Sequence, residues 1–175
     1  MGKSLSSNNG NDKVMTPLYV CKQIVEHFNP SGKILEPCCG TGNFLQVLPN
    51  SDWFEIDKGK DFMSANGYWD WIITNPPYSK YKDFLSKAMD VADNIIFLIP
   101  IVHIWTKARL KIMNDKGFSI KEIYCITTPP PPFPQMGFQF GCVYYKKRWK
   151  GKANIIYGTR GGRKKKIEVV ESNAI

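Results

Sequence analysis

Residues 33–48, Lys33-Ile34-Leu35-Glu36-Pro37-Cys38-Cys39-Gly40-Thr41-Gly42-Asn43-Phe44-Leu45-Gln46-Val47-Leu48, decide the fold. Lys33 to Glu36 reads as a strand and Asn43 to Leu48 as the start of a helix, with a glycine turn between them. A strand that feeds a helix through such a turn is half of a parallel β-α-β unit, and open α/β sheets bind ligands beyond the ends of those strands. Gly40 and Gly42 let backbone N–H groups approach a ligand closely. The turn is not G-x-G-x-x-G and no P-loop lysine follows, so dinucleotide or ATP binding lacks its usual support.

Outward from this stretch, strand and helix signals alternate, which predicts an α/β domain around a mainly parallel sheet. Leu18 to Phe28 carries apolar residues at helical spacing, with Thr16 as the expected N-cap and Pro17 at the first helical position. Trp53 to Asp57 reads as the second strand. Trp69 to Thr74 is a later strand, Tyr81 to Ala92 a helix, and Asn94 to Pro100 a continuous apolar strand suited to a sheet centre. A helix over 104–114 and strands over 120–127, 138–148 and 154–157 complete the pattern, while 129–134, five prolines and one Phe, interrupts it. Residues 158–166 read as mobile.

Composition narrows the function classes. A chain of 175 residues with 43% apolar side chains is one domain able to bury a core. No run of about 18 apolar residues is present, so no membrane partner is expected. Residues 1–14 are polar, without an apolar signal-peptide core, and read as a flexible tail. Five cysteines without C-x-x-C spacing predict buried free thiols, no metal site and a reducing, cytoplasmic setting. His27 and His103 are isolated in sequence and read as structural. The net charge of +9 is concentrated late, in Lys146-Lys147-Arg148 and Arg163-Lys164-Lys165-Lys166, an electrostatic footprint for nucleic acid.

The strand over 69–74 ends at Asn75-Pro76-Pro77-Tyr78. Two prolines fix φ and remove two backbone donors, so the chain leaves the strand on a stiff path. Such a turn can hold the Asn75 side-chain oxygen and the Pro76 carbonyl as fixed acceptors beside the Tyr78 ring, which suits gripping a planar group that carries an NH2. Upstream, Glu55 lies about 20 residues beyond the first strand, where an acid can accept both hydroxyls of a ribose. Asp61 can accept from an exocyclic adenine amine.

On these residues the sequence resembles the S-adenosylmethionine-dependent DNA adenine-N6 methyltransferases, with the γ order of motifs, from about Met15 to Lys147. The resembling parts are Met15-Thr16-Pro17, Glu36 to Phe44, Phe54-Glu55-Ile56-Asp57, Asp61-Phe62 and Asn75 to Tyr78. The resemblance implies a Rossmann-like class I methyltransferase fold, a mainly parallel seven-stranded sheet with helices on both faces. It places the catalytic domain at 15–150 and a basic extension at 151–175. It implies that Thr16, Glu36 and the backbone from Cys38 through Gly40 to Gly42 hold the methionine part of S-adenosylmethionine, with Pro37, Asn43 and Phe44 also binding the cofactor. Glu55 would take the ribose, and Asp61 and Phe62 the cofactor's adenine. Asn75, Pro76, Pro77 and Tyr78 would hold the target base, with Phe133 as its stacking partner and Phe138 and Phe140 behind. Lys146, Lys147, Arg148, Arg163, Lys164 and Lys165 would meet a nucleic-acid backbone.

The implied reaction is methyl transfer to adenine N6 in DNA. RNA adenine, or a methyltransferase fold serving only to bind nucleic acid, are the alternatives. The motif is shared with protein-glutamine enzymes, which the basic bias disfavours. Nothing long separates the motifs and little follows Lys150, so three outcomes fit the absence of a target-recognition domain: weak sequence specificity, recognition through a partner subunit or self-association, or a substrate other than duplex DNA.

Overall fold

The computed structural model describes residues 14–135, 137–158 and 164–167. The expected flexibility of the first residues therefore lies almost wholly outside the described chain. One sheet organises everything else: its strands are β1 (Ile34–Glu36), β2 (Asp52–Trp53), β3 (Trp69–Thr74), β4 (Ala92–Pro100), β5 (Phe118–Cys125), β6 (Phe140–Lys147), β7 (Asn154–Gly158) and β8 (Lys164–Ile167), in the order β2-β1-β3-β4-β6-β5-β7-β8. β1 to β5 and β7 run one way, while β6 and β8 run against them. The expected mainly parallel sheet is present, but it has eight strands rather than seven. The added strand is β8, which pairs antiparallel to β7 within a segment read as mobile.

β4 shows why the sheet is sandwiched. Its continuous apolar run alternates between two cores: Ile95, Phe97 and Ile99 face one, and Ile96 and Leu98 face the other. The first core is closed by α3 (Tyr81–Val91) and α4 (Lys107–Asp115), through Tyr81, Leu85, Met89 and Met113. The second is closed by α1 (Leu18–Phe28) and α2 (Asn43–Val47), through Val20, Ile24 and Phe44. Helices thus cover both faces.

Three local expectations are corrected. Thr16 does not cap α1: Pro17 holds the cap position without a side-chain bond, and buried Thr16 instead offers its carbonyl to Asn43 Nδ2 at 2.8 Å. The second strand stops at Trp53, because Glu55 turns back to bridge Lys60 and its carboxylate caps a 3-10 turn at Ile56–Lys58. The helix expected over 104–114 divides, with a 3-10 turn at Ile101–Ile104 and α4 starting only after Thr106, whose hydroxyl caps it.

Candidate active site

The carboxyl ends of β1 and β3 lie side by side, and the segments leaving them form one cleft of about 500 Å³. Its wall holds the glycine turn, the segment 14–16, the loop 55–63 and the residues after β3. Of the residues singled out in the sequence, Thr16, Pro37, Cys38, Gly40, Asn43, Phe44, Glu55, Asp61, Phe62, Asn75 and Pro77 line it. Chain segments far apart in sequence meet there.

The glycine turn is as tight as its residues predict. Gly40 has φ 50° and Gly42 φ 88°, both in the left-handed region, and a Cβ on Gly40 would come within 2.6 Å of the Met15 sulfur. Gly40 N–H donates to Glu55 Oε2 at 2.6 Å, and Asp57 N–H to Glu55 Oε1 at 3.2 Å. The acid after β2 is therefore fixed by backbone donors, and each of its oxygens retains a lone pair for a ligand hydroxyl. Asp61 caps the next 3-10 turn, accepting from Met63 N–H at 2.9 Å. Phe62 is buried beneath it against Phe54 and Phe84, and forms an apolar floor.

Glu36 is buried at the cleft's base rather than in its wall. Its Oε1 accepts from the Thr74 hydroxyl at 2.5 Å and from Cys38 N–H at 3.2 Å, while Oε2 is buried without a partner. Burial pushes the Glu36 carboxyl up to about 8 despite the Thr74 hydrogen bond. The Cys38 thiol lies 2.8 Å from Thr74 Oγ1 and 3.4 Å from the Asn75 carbonyl, so Thr74 and Cys38 connect Glu36 to the Asn-Pro-Pro-Tyr turn. Burial raises the Cys38 thiol well above its ordinary range, and it stays protonated.

Asn75 is oriented by its own amide. Nδ2 donates to the Val14 carbonyl at 3.1 Å, which fixes which end of the carboxamide is which. Oδ1 is then buried without a hydrogen-bond partner on a side chain that lines the cleft. Such an acceptor costs on the order of 1–3 kcal/mol until a donor reaches it. Pro76 is buried beside it and the Tyr78 ring is half-buried. Tyr78 stands edge-on to His103 at 5.9 Å and tilted to Phe140 at 6.4 Å. His103, isolated in sequence, is thus brought to the motif, where burial and then Arg109 lower its pKa and keep it neutral. His27 lies elsewhere, bonded to Glu122 and stacked on Tyr124.

Other expected site residues are not brought together. Phe133 is 3% exposed, with its ring against Phe140 at 4.9 Å, in the core that also holds α1; it offers no free face. Of that loop's aromatics, Phe138 is the exposed one. Lys146 is in register with Asn94 and hence with Trp71, so Lys146, Lys147 and Arg148 sit level with the start of β3, roughly 10 Å or more from Thr74 along the strands. Lys147 is also engaged by Tyr68 at 3.0 Å and Asp93 at 3.5 Å. The reversed direction of β6 carries these cations to the far end of the sheet from the cleft. β8 does the opposite: Lys164 and Lys165 pair with Gly158 and Tyr157, and Tyr157 with Cys125, at the cleft end. Arg163 lies outside the described residues.

The sequence reading missed the Val14 carbonyl, and also Lys58 and Lys80, two cations in the cleft wall. Only the Met15-Thr16-Pro17 element signalled that this N-terminal stretch belongs to the site. Among the described residues no group of three or more His, Cys, Asp and Glu could hold a metal, and no helix is long and apolar enough to cross a membrane.

Neither a protein-family model nor a curated protein sequence matches the chain. Solved structures do resemble it. A Listeria monocytogenes protein assigned as a class I S-adenosylmethionine-dependent methyltransferase has a TM-score of 0.61 at 15% identity, over 83% of this chain and 66% of that one. The type I restriction-modification methyltransferase subunit of Streptococcus thermophilus gives 0.58 at 13%, over 83% and 47%. A Pyrococcus horikoshii protein assigned as an RNA methyltransferase gives 0.54 at 14%, over 77% and 83%. The chain spans about half the length of the type I subunit. The shared feature is the Rossmann-like class I methyltransferase fold.

Proposed function

We propose that the protein transfers a methyl group from S-adenosylmethionine to the N6 amine of adenine, with DNA as the substrate. The observation that carries this reading is Asn75 Oδ1, a buried acceptor without a partner on a side chain that lines the cleft and whose Nδ2 is committed to Val14. An amine N–H is the donor that such an oxygen lacks.

The cleft suits the cofactor on its own evidence. Its volume falls within the roughly 300–1,000 Å³ usual for ligand sites. Glu36 Oε2, buried without a partner, would become the acceptor for a ligand ammonium once the carboxyl gives up its proton. The turn from Cys38 to Gly42 brings main chain to the ligand, Glu55 offers lone pairs to ribose hydroxyls, and Asp61 with Phe62 forms a polar edge and apolar floor for an adenine. When bound, S-adenosylmethionine supplies an electrophilic methyl on a sulfonium leaving group.

The chain's own task is to prepare the nucleophile. The N6 lone pair of adenine is delocalised into its ring. Hydrogen bonds from its two N–H groups to Asn75 Oδ1 and the Pro76 carbonyl favour a more tetrahedral nitrogen and localise that pair. Positioning and stabilisation of developing positive charge supply the catalysis. Neutral His103 packs on Tyr78 and sets the ring's angle, a positioning role.

In duplex DNA the base must leave the stack, at a cost of a few kcal/mol offset by pocket contacts. The test is to incubate the protein with methyl-labelled S-adenosylmethionine and unmethylated duplex DNA, single-stranded DNA or RNA, with Asn75→Ala as control. Label recovered as N6-methyladenine in DNA supports the reading. Label in RNA alone moves it to the RNA alternative. Cofactor affinity without label on any nucleic acid defeats the acceptor assignment.

A further inference from the structure

The 3-10 turn after β4 carries an aromatic that neither the cores nor the cleft uses. Trp105 is 63% exposed, although a tryptophan is among the costliest side chains to leave in water. Its surroundings repeat the anomaly. Val102 is exposed on the same turn, and Phe138, 53% exposed, lies on the adjoining loop, which is joined to that turn by the Ile101 N–H donating to the Gln139 carbonyl at 3.0 Å. Single exposed apolar residues are ordinary, but three on two connected loops form a surface.

Position and charge restrict what that surface can meet. It follows the carboxyl end of β4, which adjoins β3, and its His103 packs edge-on against Tyr78. The loops that carry the exposed rings therefore border the Asn75-Pro76-Pro77-Tyr78 turn through the His103–Tyr78 contact, while the rings themselves do not line the cleft. Just beyond Trp105, α4 begins with Lys107 and Arg109 and has no acid in its first turn, Lys111 being paired with Asp115 at 2.7 Å; Lys80 lies in the cleft wall. Arg109 is committed to the His103 carbonyl and the Tyr81 ring, so it braces the platform while Lys107 faces solvent. Flat rings beside cations are the elements of a single-strand surface: bases stack on the rings and phosphates meet the cations.

We infer that Trp105 is a stacking platform for an unpaired base that flanks the methyl acceptor, so that the protein prefers single-stranded or locally opened nucleic acid to intact duplex. This rests on the methyl-transfer reading for the identity of the acceptor, but nucleic-acid binding can be measured without it.

The test is fluorescence anisotropy of a labelled adenine-containing oligonucleotide, alone and annealed to its complement, with wild type, Trp105→Ala and Trp105→Phe. Unfolding midpoints and cofactor affinity are measured on each variant. Loss of one base stack predicts that Trp105→Ala weakens single-strand binding on the order of tenfold, and that Trp105→Phe restores most of it. Duplex affinity should be lower in the wild type and fall less. Single-strand binding by Trp105→Ala equal to wild type, with the fold intact, overturns the inference. So does equal loss on both substrates, or a wild type that binds no nucleic acid. If Trp105→Ala lowers binding while the wild type transfers no methyl group, the platform stands and the reaction assignment falls. If the wild type transfers methyl and Trp105→Ala binds as before, only the platform falls.

Discussion

The Cys38 thiol sits 2.8 Å from the Thr74 hydroxyl, and this contact joins the glycine turn to the strand that delivers Asn75. Thr74 is itself bonded to Glu36, and Cys38 also reaches the Asn75 carbonyl, so the floor of the cofactor side and the acceptor side share one chain of contacts. Cys38→Ala should lower kcat between about 10- and 100-fold, because small misplacements of reacting groups are costly. Cofactor affinity should change less, and Cys38→Ser should recover much of the rate. An unaltered kcat in Cys38→Ala would show that Asn75 is positioned without the thiol.

Asn75→Ala removes the unpartnered acceptor. Loss of one preorganised polar contact at a reacting centre costs on the order of 10²–10³ in rate, and cofactor affinity should stay within about twofold. Single-turnover transfer and equilibrium cofactor binding measure the two effects separately. Joint loss of both refutes the division of roles.

Glu55→Ala takes away the acceptor of Gly40 N–H and Asp57 N–H as well as the expected ribose contact. Charge-assisted hydrogen bonds of about 1.5–3 kcal/mol correspond to about 10–100-fold in affinity. Isothermal titration should show that loss, together with a lower unfolding midpoint because two backbone donors are stranded. Unchanged affinity would remove Glu55 from the ribose site.

Glu36 gives a pH signature. Its carboxyl is raised in the folded state to about 8, so the folded chain holds a proton that the unfolded chain releases near the ordinary glutamate range of about 4.3. The resulting stability is full below that lower value and is lost as pH rises through the folded one. Unfolding midpoints should therefore fall between about pH 5 and pH 8, and Glu36→Gln should flatten the decline. A ligand ammonium at Oε2 would favour the charged carboxylate, so cofactor binding near neutral pH should release a proton, seen as a binding enthalpy that depends on the buffer. Equal enthalpies across buffers would place the ammonium elsewhere.

Salt dependence separates the two halves of the basic region. Lys164→Gln with Lys165→Gln should reduce the slope of log affinity against log salt by about 1–2. Lys146→Gln with Lys147→Gln should leave it unchanged, because those residues lie at the far end of the sheet. The reverse result would put nucleic acid at the wrong end for Asn75. Truncation after Lys150 is a poorer experiment: it strips β7 from β5, with Ile155 and Ile156, which pack on the two cores.

The sequence carried the cleft more legibly than its surroundings. The glycine turn, Glu55 and Asn75 are each tied to the end of a strand, and strands reveal themselves by their apolar runs. Strand direction has no such signal. That β6 runs against β4 is a property of the assembled sheet, and it sends Lys146 away from the site. Phe133 follows the same lesson: in a proline-rich loop it looked presentable, yet the loop folds inward and buries it on Phe140. Thr16 reads as a cap because a helix follows, but the cap position falls one residue later, at Pro17, whose ring has no group to cap with. The partner of Asn75 was invisible, since a main-chain carbonyl acts whatever residue carries it.

Three residues close the cleft from the amino-terminal side, and two of their carbonyls accept from side-chain amides: Val14 receives Asn75, and Thr16, which also accepts from the Cys21 thiol, receives Asn43. One asparagine stands on the acceptor half and the other on the cofactor half. Their carboxamide protons are therefore built-in magnetic-resonance probes of the same event. If the 14–16 segment lifts away, both pairs of resonances should shift together, and if it stays seated while a ligand enters, each should report its own half of the chamber.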